Sequence, residues 1–416
     1  TDSLLRINPR TNANSEQERD NFTTTLTRAQ YTRLSDGPLQ WSASLYHGFQ
    51  RGNYDFDLNN FLGFAPTEEL FNYAFRYHNF GALANLSYEK ANWEAQVGLH
   101  GQSYERRHTG SERTLGELYE NTGRKKEVSA FTRLVNNIGS LHLRAGAQIR
   151  HVDFSYNGSV FLDPLRFTFL NYSLEANQQL GTSSLYYRFG STGREPTRND
   201  VFGGNDDLLA TADGDALTFV TEAERVFDHE LGLRGKGQRL SYAINLFYLR
   251  FHNEIVLSGA FGPNGLPLRS SVARSYRTGL EWQIDYALTD KLTLYQNGAL
   301  SEHQITQDGT SFTPVLSPPV LLQQGSRLRL GRFTAGLDLR YQSASYLDFA
   351  NDHQIDGFVT LDASLRWQKE RLTVSTFAFN LNDATYATNG QLDIFGRPTF
   401  YRRAGTNGWV AITYQL

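Results

Sequence analysis

Residues 358–367 read FVTLDASLRW, and this stretch alternates strictly between apolar and polar side chains. On an extended chain, one face carries the apolar residues Val359, Leu361, Ala363, Leu365 and Trp367. The opposite face carries Thr360, Asp362, Ser364 and Arg366. A period of two over this length predicts a β-strand with one apolar and one polar face.

The same alternation recurs along the chain, at 93–102, 141–150, 239–248 and 333–341. Short turns rich in Gly, Asn and Asp join such segments in pairs, at 35–38, 136–139, 180–182, 235–238 and 289–291. Long connections lie between the pairs, at about 51–72, 106–124, 193–223, 257–271, 306–317, 345–356 and 384–406. Because short and long connections alternate, we predict about 17 antiparallel strands, with the long loops gathered at one end.

This pattern predicts an all-β fold, a large antiparallel transmembrane β-barrel with short periplasmic turns and long extracellular loops. No apolar run approaches the roughly 18 residues of a transmembrane helix, and mean hydropathy is −0.48. Trp41, Trp93 and Trp367 stand beside short turns, where an aromatic girdle is expected. The polar faces carry many Arg and Asp residues, which a wide barrel accommodates better than a narrow one. The alternative is a soluble stack of sheets with Trp at the edges.

Composition excludes several functions. The 416 residues hold 40 Lys and Arg against 43 Asp and Glu, a net charge of −3, so an electrostatic nucleic-acid binder is excluded. Cys and Met are absent, and no close His pair occurs, which disfavours copper and zinc sites. No nucleophile elbow and no phosphate-binding loop is present. We therefore predict that the protein is not an enzyme.

Several segments in the last half of the chain carry a family likeness. They are Gly193-Arg194-Glu195-Pro196-Thr197, Glu230-Leu231-Gly232, Asn253-Glu254-Ile255, Gly279-Leu280-Glu281, Asn380-Leu381-Asn382-Asp383-Ala384-Thr385-Tyr386, Gly396-Arg397-Pro398 and the closing strand 408–416. In order and spacing, residues 190–416 resemble the barrel domain of TonB-dependent outer-membrane receptors. Ala223 stands where the family usually has Pro, and Leu416 where it usually has Phe or Trp.

The resemblance implies a 22-stranded barrel with an N-terminal plug. We expect residues 1–416 to form one barrel domain that lacks the plug and about five strands. It also implies a place in the outer membrane of a Gram-negative bacterium and active uptake of a scarce large ligand, with a ferric siderophore favoured. The implied partners are the TonB–ExbB–ExbD complex through the plug, outer-membrane lipid and lipopolysaccharide, and the barrel-assembly machinery. The alternatives are a passive porin, or a receptor for haem, cobalamin or carbohydrate.

The longest loop, 193–223, combines cationic and amide side chains with carboxylates. Arg194, Arg198 and Asn199 are candidates for holding an anionic chelate. Asp206, Asp207, Asp213 and Asp215 are candidates for a structural calcium ion, although they lack the EF-hand spacing. No cofactor is required. The simplest interpretation is a solvated polar loop packed on its neighbours.

Three further segments contain candidate ligand-binding residues. Loop 51–70 mixes Tyr54, Phe56 and Phe61 with acids and amides, and such exposed aromatics suit a catecholate or porphyrin, unless they only pack within the loops. In 105–113, Arg106 and Arg107 form a basic tip that suits lipopolysaccharide, an anionic chelate or bare solvent. Loop 257–271 offers Phe261 and Arg269.

Overall fold

The computed structural model describes residues 17–61, 64–65, 67–262, 266–307, 309–392 and 396–415. Two one-turn helices, Leu58–Phe61 and Arg198–Val201, accompany the strands. The strands are β1 (Asp20–Arg33), β2 (Leu39–Asp57), β3 (Leu70–Lys90), β4 (Trp93–Glu112), β5 (Gly116–Ile138), β6 (Leu141–Asn157), β7 (Leu165–Leu180), β8 (Ser183–Arg194), β9 (Glu224–Lys236), β10 (Leu240–Phe261), β11 (Pro267–Ala287), β12 (Leu292–Gln307), β13 (Thr310–Phe312), β14 (Val320–Leu330), β15 (Phe333–Gln342), β16 (Ser345–Tyr346), β17 (Gln354–Ile355), β18 (Phe358–Lys369), β19 (Leu372–Phe379), β20 (Ala387–Leu392), β21 (Pro398–Arg402) and β22 (Asn407–Tyr414).

One antiparallel sheet contains 18 of these strands in the described ranges. Each strand pairs with the next along the chain, from β1 with β2 to β19 with β22. The three-residue β13 only forms a hairpin on the end of β12, so 17 long strands make up the wall. This agrees with the predicted number, and the predicted all-β barrel is confirmed. No described helix is both long and apolar enough to cross a membrane.

The apolar positions of the alternating strands face outward. Leu99 is 63% exposed and Val128 is 66% exposed, although both sit in the middle of well-paired strands. Val359 and Leu365, in the alternating segment 358–367, are also exposed on this face. Large exposed apolar side chains in a continuous band are what a lipid-facing surface requires.

The polar positions line the lumen, where cations and acids pair across neighbouring strands. Arg277 lies 2.6 Å from Glu254, Arg340 lies 2.9 Å from Asp362, and Arg144 lies 2.9 Å from Glu175. Each of these pairs joins two neighbouring strands. The lumen charges therefore compensate one another while tying the wall together.

All short turns lie at one end of the sheet, and the connections predicted to be long lie at the other, the long-loop end. Three of those predicted loops are shorter than expected, because the strands extend past the apolar band. Residues 106–124 form a hairpin with a turn of only three residues between Glu112 and Gly116. Strand β2 likewise continues to Asp57, and β10 and β11 continue into the segment 257–271. Paired backbone satisfies its own hydrogen bonds, so polar strands can continue into water.

Candidate ligand-binding site

The connection between β8 and β9, residues 195–223, folds into a defined structure at the long-loop end. Its one-turn helix Arg198–Val201 begins at Thr197, whose amide donates to the Asp200 carboxylate at 2.8 Å. The Asp200 amide donates back to the Thr197 hydroxyl at 3.3 Å. This reciprocal capping follows from the sequence Thr-x-x-Asp and fixes where the helix begins.

An apolar cluster fastens this connection to the wall of the barrel. Val201, Phe202 and Leu208 are each about 1% exposed and pack on Tyr156 of β6 and on Leu162. The Phe202 ring meets the Tyr156 ring edge-on, with centroids 5.1 Å apart. Such a cluster is a small hydrophobic core of its own, so the connection is packed rather than solvated.

Asn121 of β5 is the main polar anchor for the same connection. Its side chain is almost fully buried, and its amide nitrogen donates to the Asp206 carbonyl and to the Asp207 carboxylate, both at 2.9 Å. Asp207 also accepts from the Ser159 hydroxyl at 2.9 Å and from the Tyr156 hydroxyl. Barrel strands and loop thus share one hydrogen-bonded network.

Arg198 projects from the one-turn helix into this network. Its guanidinium lies 4.6 Å above the Phe202 ring, donates to Asn121 at 3.3 Å and to the Asp206 carbonyl, and lies 3.8 Å from the Asp206 carboxylate. Burial lowers the pKa of Arg198, and the Asp206 charge opposes that shift. The side chain is a positive charge held in a largely dry site.

Strands β2 to β5 present aromatic and basic side chains beside Arg198. Tyr54 pairs with Tyr73 across β2 and β3, with ring centroids 5.2 Å apart. Arg106 places its guanidinium 4.2 Å above the Phe75 ring. His108 lies opposite both Phe75 and Asn121 in the strand register. We call this inner surface the vestibule wall.

The surroundings of the vestibule wall favour the neutral forms of its imidazole and phenol groups. Burial, reinforced by the charges of Arg198 and Arg106, lowers the pKa of His108 to about 2. Burial and then the Asp206 charge raise the pKa of Tyr73 to about 12, and they also raise the pKa of Tyr119. The wall therefore offers neutral imidazole and phenol groups and two guanidinium groups.

Several polar atoms of this wall have no hydrogen-bond partner among the described residues. They are Arg106 Nε, His108 Nε2, Tyr119 Oη and Arg198 Nε. A buried donor without a partner costs about 1–3 kcal/mol, and native structures hold few of them. Four such atoms lie together on the vestibule wall.

A second cluster of charges lies just below, towards the middle of the barrel. Glu195, at the start of the loop, binds Lys125 and accepts from Arg150 at 2.6 Å. Arg150 also lies 3.3 Å from Glu127. Burial alone would raise the pKa of Glu195, but the hydrogen bond and charge of Lys125, together with Arg150, lower it. Glu195 therefore ties the loop to β5 and β6 as a carboxylate.

The structure brings together some of the predicted ligand-binding residues. Arg198 and Arg106 reach the vestibule wall, where each contributes to the low pKa of His108. Tyr54 joins the same wall through Tyr73, and Phe56 lies 6.4 Å from Tyr73 between ring centroids. Both lie on β2 rather than in a loop.

Other candidates lie elsewhere or serve the packing of the loops. Arg107 faces the outside of the barrel, because neighbouring strand residues point in opposite directions, and it pairs with Glu120. Arg194 is held by Glu224 at 2.9 Å. Asn199 and Arg269 connect the helix to β11, through the Pro267 carbonyl and Asp200, both at 3.4 Å.

The remaining aromatic candidates are Phe261 and Phe61. Phe261 ends β10, where it pairs with Pro267. The side chain of Phe61 lies outside the described part of the molecule, as do residues 263–265 and Leu416.

The residues predicted for calcium do not converge. Asp206 and Asp207 lie in the network of Asn121 and Arg198, whereas Asp213 and Asp215 are exposed in a turn closed by the Thr211 amide and the Asp215 carbonyl. Among the described residues, no group of three or more His, Asp or Glu side chains is arranged to hold a metal ion. The calcium site stays a prediction.

Sequence reasoning missed much of the wall, namely Tyr73, Tyr104, His108, Tyr119 and Asn121, and it also missed Tyr156 of the apolar cluster. The signal that identifies them is the alternation of strands carried beyond the apolar band. Tyr104, Arg106 and His108 are spaced two residues apart, and on a strand they share one face.

A wide antiparallel barrel with an apolar outer face, short turns at one end and longer connections at the other is the architecture of an outer-membrane β-barrel. A family model, TonB dependent receptor-like, beta-barrel, matches residues 2–381. The chain belongs to this family, whose members are outer-membrane proteins of Gram-negative bacteria and interact with TonB. No curated protein matches the sequence.

Solved structures share the fold at low sequence identity. The copper transporter OprC matches with a TM-score of 0.81 and 15% identity over 96% of this chain and 67% of OprC. The unliganded ferric citrate transporter FecA matches with a TM-score of 0.79 and 15% identity over 95% of this chain and 62% of FecA. The ferric yersiniabactin uptake receptor FyuA from Yersinia pestis gives 0.69 and 17%, over 95% and 61%. The chain thus spans about two thirds or less of these proteins.

Proposed function

We propose that this chain is the barrel of an outer-membrane receptor that takes up an anionic metal chelate, a ferric siderophore, with energy delivered through TonB. Membership of the family supports transport of a ligand. The ligand class rests on one observation of this structure, the vestibule wall. There, Arg106 and Arg198 stand among neutral phenols, and several donors have no protein partner.

The chemistry of a ferric siderophore fits this wall. Catecholate, hydroxamate and carboxylate chelates present a crowded set of anionic or neutral oxygens around iron. Guanidinium groups bind such oxygens with charge-assisted hydrogen bonds, and aromatic rings stack on catechol rings. Because low-dielectric surroundings strengthen these contacts, two largely buried arginines suffice for tight binding without any direct ligand to the metal.

The receptors FyuA and FecA are named for ferric chelates, and OprC is named a copper transporter. A bare copper ion would need several His, Cys or Met ligands at one place. The chain contains no Cys or Met. This favours a metal bound within a chelate over a free metal ion.

Binding to the purified full chain tests the proposal, with quenching of intrinsic fluorescence as the signal. The probes are a ferric tris-catecholate, ferric citrate, haem and Cu²⁺. We expect one of the ferric chelates to bind, and Arg106→Gln to weaken it at least about tenfold, the value of one charge-assisted contact. The matched control is Arg124→Gln, since Arg124 lies on the outer face and pairs with Glu105 at 2.6 Å. Binding of haem or Cu²⁺ alone, or equal effects of both substitutions, would refute the ligand class.

A further inference from the structure

Three arginines stand in one row on the outer surface of the barrel. Arg51 of β2 pairs in register with Arg76 of β3, and Arg76 pairs with Arg107 of β4. All three are exposed. Like charges directly opposite one another on a sheet are destabilising, so such a row needs an anion to offset its repulsion.

The side chains of this arginine row point away from the lumen. Arg76 shares its face with the exposed Phe80, four residues further along β3, whereas the adjacent Phe75 and Tyr77 belong to the inner face. Arg107 likewise shares its face with the exposed Leu99. The arginine row therefore lies on the outer, membrane-facing surface of the barrel, on the opposite side of the sheet from the vestibule wall.

The level of the row on the barrel can be estimated from strand geometry. Along β3 from the short-turn end towards the long-loop end, Phe80 is the last large exposed apolar residue that is reached before Arg76. Four residues at about 3.4 Å span roughly 14 Å along the strand, or about 10 Å along the membrane normal for a strand tilted by about 40°. That distance places the guanidinium groups just above the hydrocarbon, where lipid headgroups begin.

The protein itself leaves two of the three charges uncompensated. Arg107 pairs with Glu120, but neither Arg51 nor Arg76 forms an ion pair within the described ranges. Further out, Asp55 accepts from Asn72 at 2.8 Å. By contrast, two other arginines on the outer face form ion pairs. Arg124 lies 2.6 Å from Glu105, and Arg166 lies 3.0 Å from Asp153.

A cavity of about 380 Å³ lies between these arginines. Its lining adds the polar side chains Asn21, Thr23, Asn53 and Asn72. Such amides and hydroxyls can donate hydrogen bonds to phosphate and sugar oxygens. A concave site with three guanidinium groups and several neutral donors at headgroup level matches a phosphorylated glycolipid.

We propose that the arginine row, Arg51, Arg76 and Arg107, binds a phosphate group of a phosphorylated glycolipid in the outer leaflet. The inference rests on the barrel lying in the outer membrane, but it does not depend on the transported ligand. The lipid would hold β2, β3 and β4 together at their outer ends, beside the strands that carry the vestibule wall.

Lipid binding to the purified full chain in neutral detergent tests this site. The probes are bisphosphorylated lipid A, the same lipid without its phosphates, and inorganic phosphate. We expect the bisphosphorylated lipid to bind and the dephosphorylated lipid to bind at least about tenfold more weakly. The triple variant Arg51→Gln, Arg76→Gln, Arg107→Gln should show a similar loss, while Arg124→Gln should stay within about twofold. Replacing the three arginines by lysine should restore part of the affinity, because charge returns without the bidentate geometry.

Several outcomes would overturn the site. Equal binding of both lipids, or an unchanged affinity of the triple Gln variant, would show that the row does not recognise phosphate. Competition by millimolar inorganic phosphate would assign the row to a soluble anion rather than a lipid. Heat-modifiable migration on gels confirms that each variant is folded. Binding of the ferric probe is measured in parallel, and it should be the same in the triple variant, so failure of one proposal is separable from failure of the other.

Discussion

Replacing Asn121 with alanine should loosen the attachment of the loop 195–223 to the barrel without unfolding the wall. The substitution removes two donated hydrogen bonds at 2.9 Å and one accepted from Arg198 at 3.3 Å. Asp207 keeps its hydrogen bonds from Tyr156 and Ser159, and Arg198 keeps its hydrogen bond to the Asp206 carbonyl, so the losses are partly compensated. With roughly 0.5–1.5 kcal/mol for each bond and one partly replaced, we expect about 2 kcal/mol.

Amide hydrogen exchange measures this loss where it occurs. The amides of Val201 and Phe202 are protected by bonds to Thr197 and Arg198 within the loop. A loss of about 2 kcal/mol in the local opening free energy corresponds to exchange about 30-fold faster. Amides in the middle of β6 should not change, because their bonds belong to the sheet.

Asn177→Ala provides the matched control, since Asn177 is also buried but makes no hydrogen bond to the loop. The reasoning would be wrong if exchange of the Val201 and Phe202 amides were the same in Asn121→Ala and in the unaltered protein. It would also be wrong if both alanine variants accelerated it equally. In the first case the apolar cluster around Phe202 would hold the loop without Asn121, and in the second the acceleration would reflect a general loss of barrel stability.

Three further substitutions test other parts of the site. In the folded protein His108 is neutral, with a pKa of about 2, whereas in the unfolded chain the imidazole titrates at about 6.5. The free energy of unfolding should therefore fall as the pH drops below about 6.5, by about 2 kcal/mol at pH 5. Denaturation curves should show that His108→Gln removes this pH dependence. Glu195→Gln should lower the midpoint of thermal unfolding, because it leaves Lys125 facing a neutral amide and costs about 2–3 kcal/mol. Gly262→Ala should accelerate loop amide exchange, since its Cβ would lie 2.9 Å from the Gly204 backbone.

The controls for two of these substitutions use residues remote from the loop. His142→Gln alters a histidine near a short turn, where it contacts Asn137, and should leave the pH dependence unchanged. Gly237→Ala introduces only an ordinary contact of 3.6 Å and should leave loop exchange unchanged. For Glu195, the effect should be full above the unfolded pKa of the carboxyl and should diminish as the pH falls through its lowered folded pKa, where the carboxylate becomes protonated.

The fold was predictable because it follows from two local features of the sequence, the alternation within strands and the composition of the turns. Alternation puts Val97 and Leu99 on one face of their strand whatever the tertiary structure, and the turn composition shows which strands are neighbours. Loop boundaries were less predictable. In 106–124 the strands continue as polar alternation, such as Tyr104, Arg106 and His108, which looks like loop sequence unless the period of two is followed past the last lipid-facing residue.

The site was predictable only in its residue types. Arg106 and Arg107 are adjacent in sequence and were assigned one role, yet the strand sends them to opposite sides of a wall. The position of Arg198 depends on contacts with Asn121 and Asp206, 77 and 8 residues away in sequence. Nothing local to residue 198 specifies those partners, so no reading of composition or spacing could have placed it.

The vestibule wall and the loop contribute to binding in different ways. Arg106 and His108 are held by strands that are paired on both sides, so their positions cost nothing more when a ligand arrives. Arg198 lies on a helix of one turn, which is not stable alone and depends on the Phe202 cluster and on Asn121. Opening the loop withdraws one of the two cationic groups while leaving the other in place. Ligand affinity should therefore depend on loop stability, and Asn121→Ala should weaken binding mainly through faster dissociation, without contacting the ligand itself.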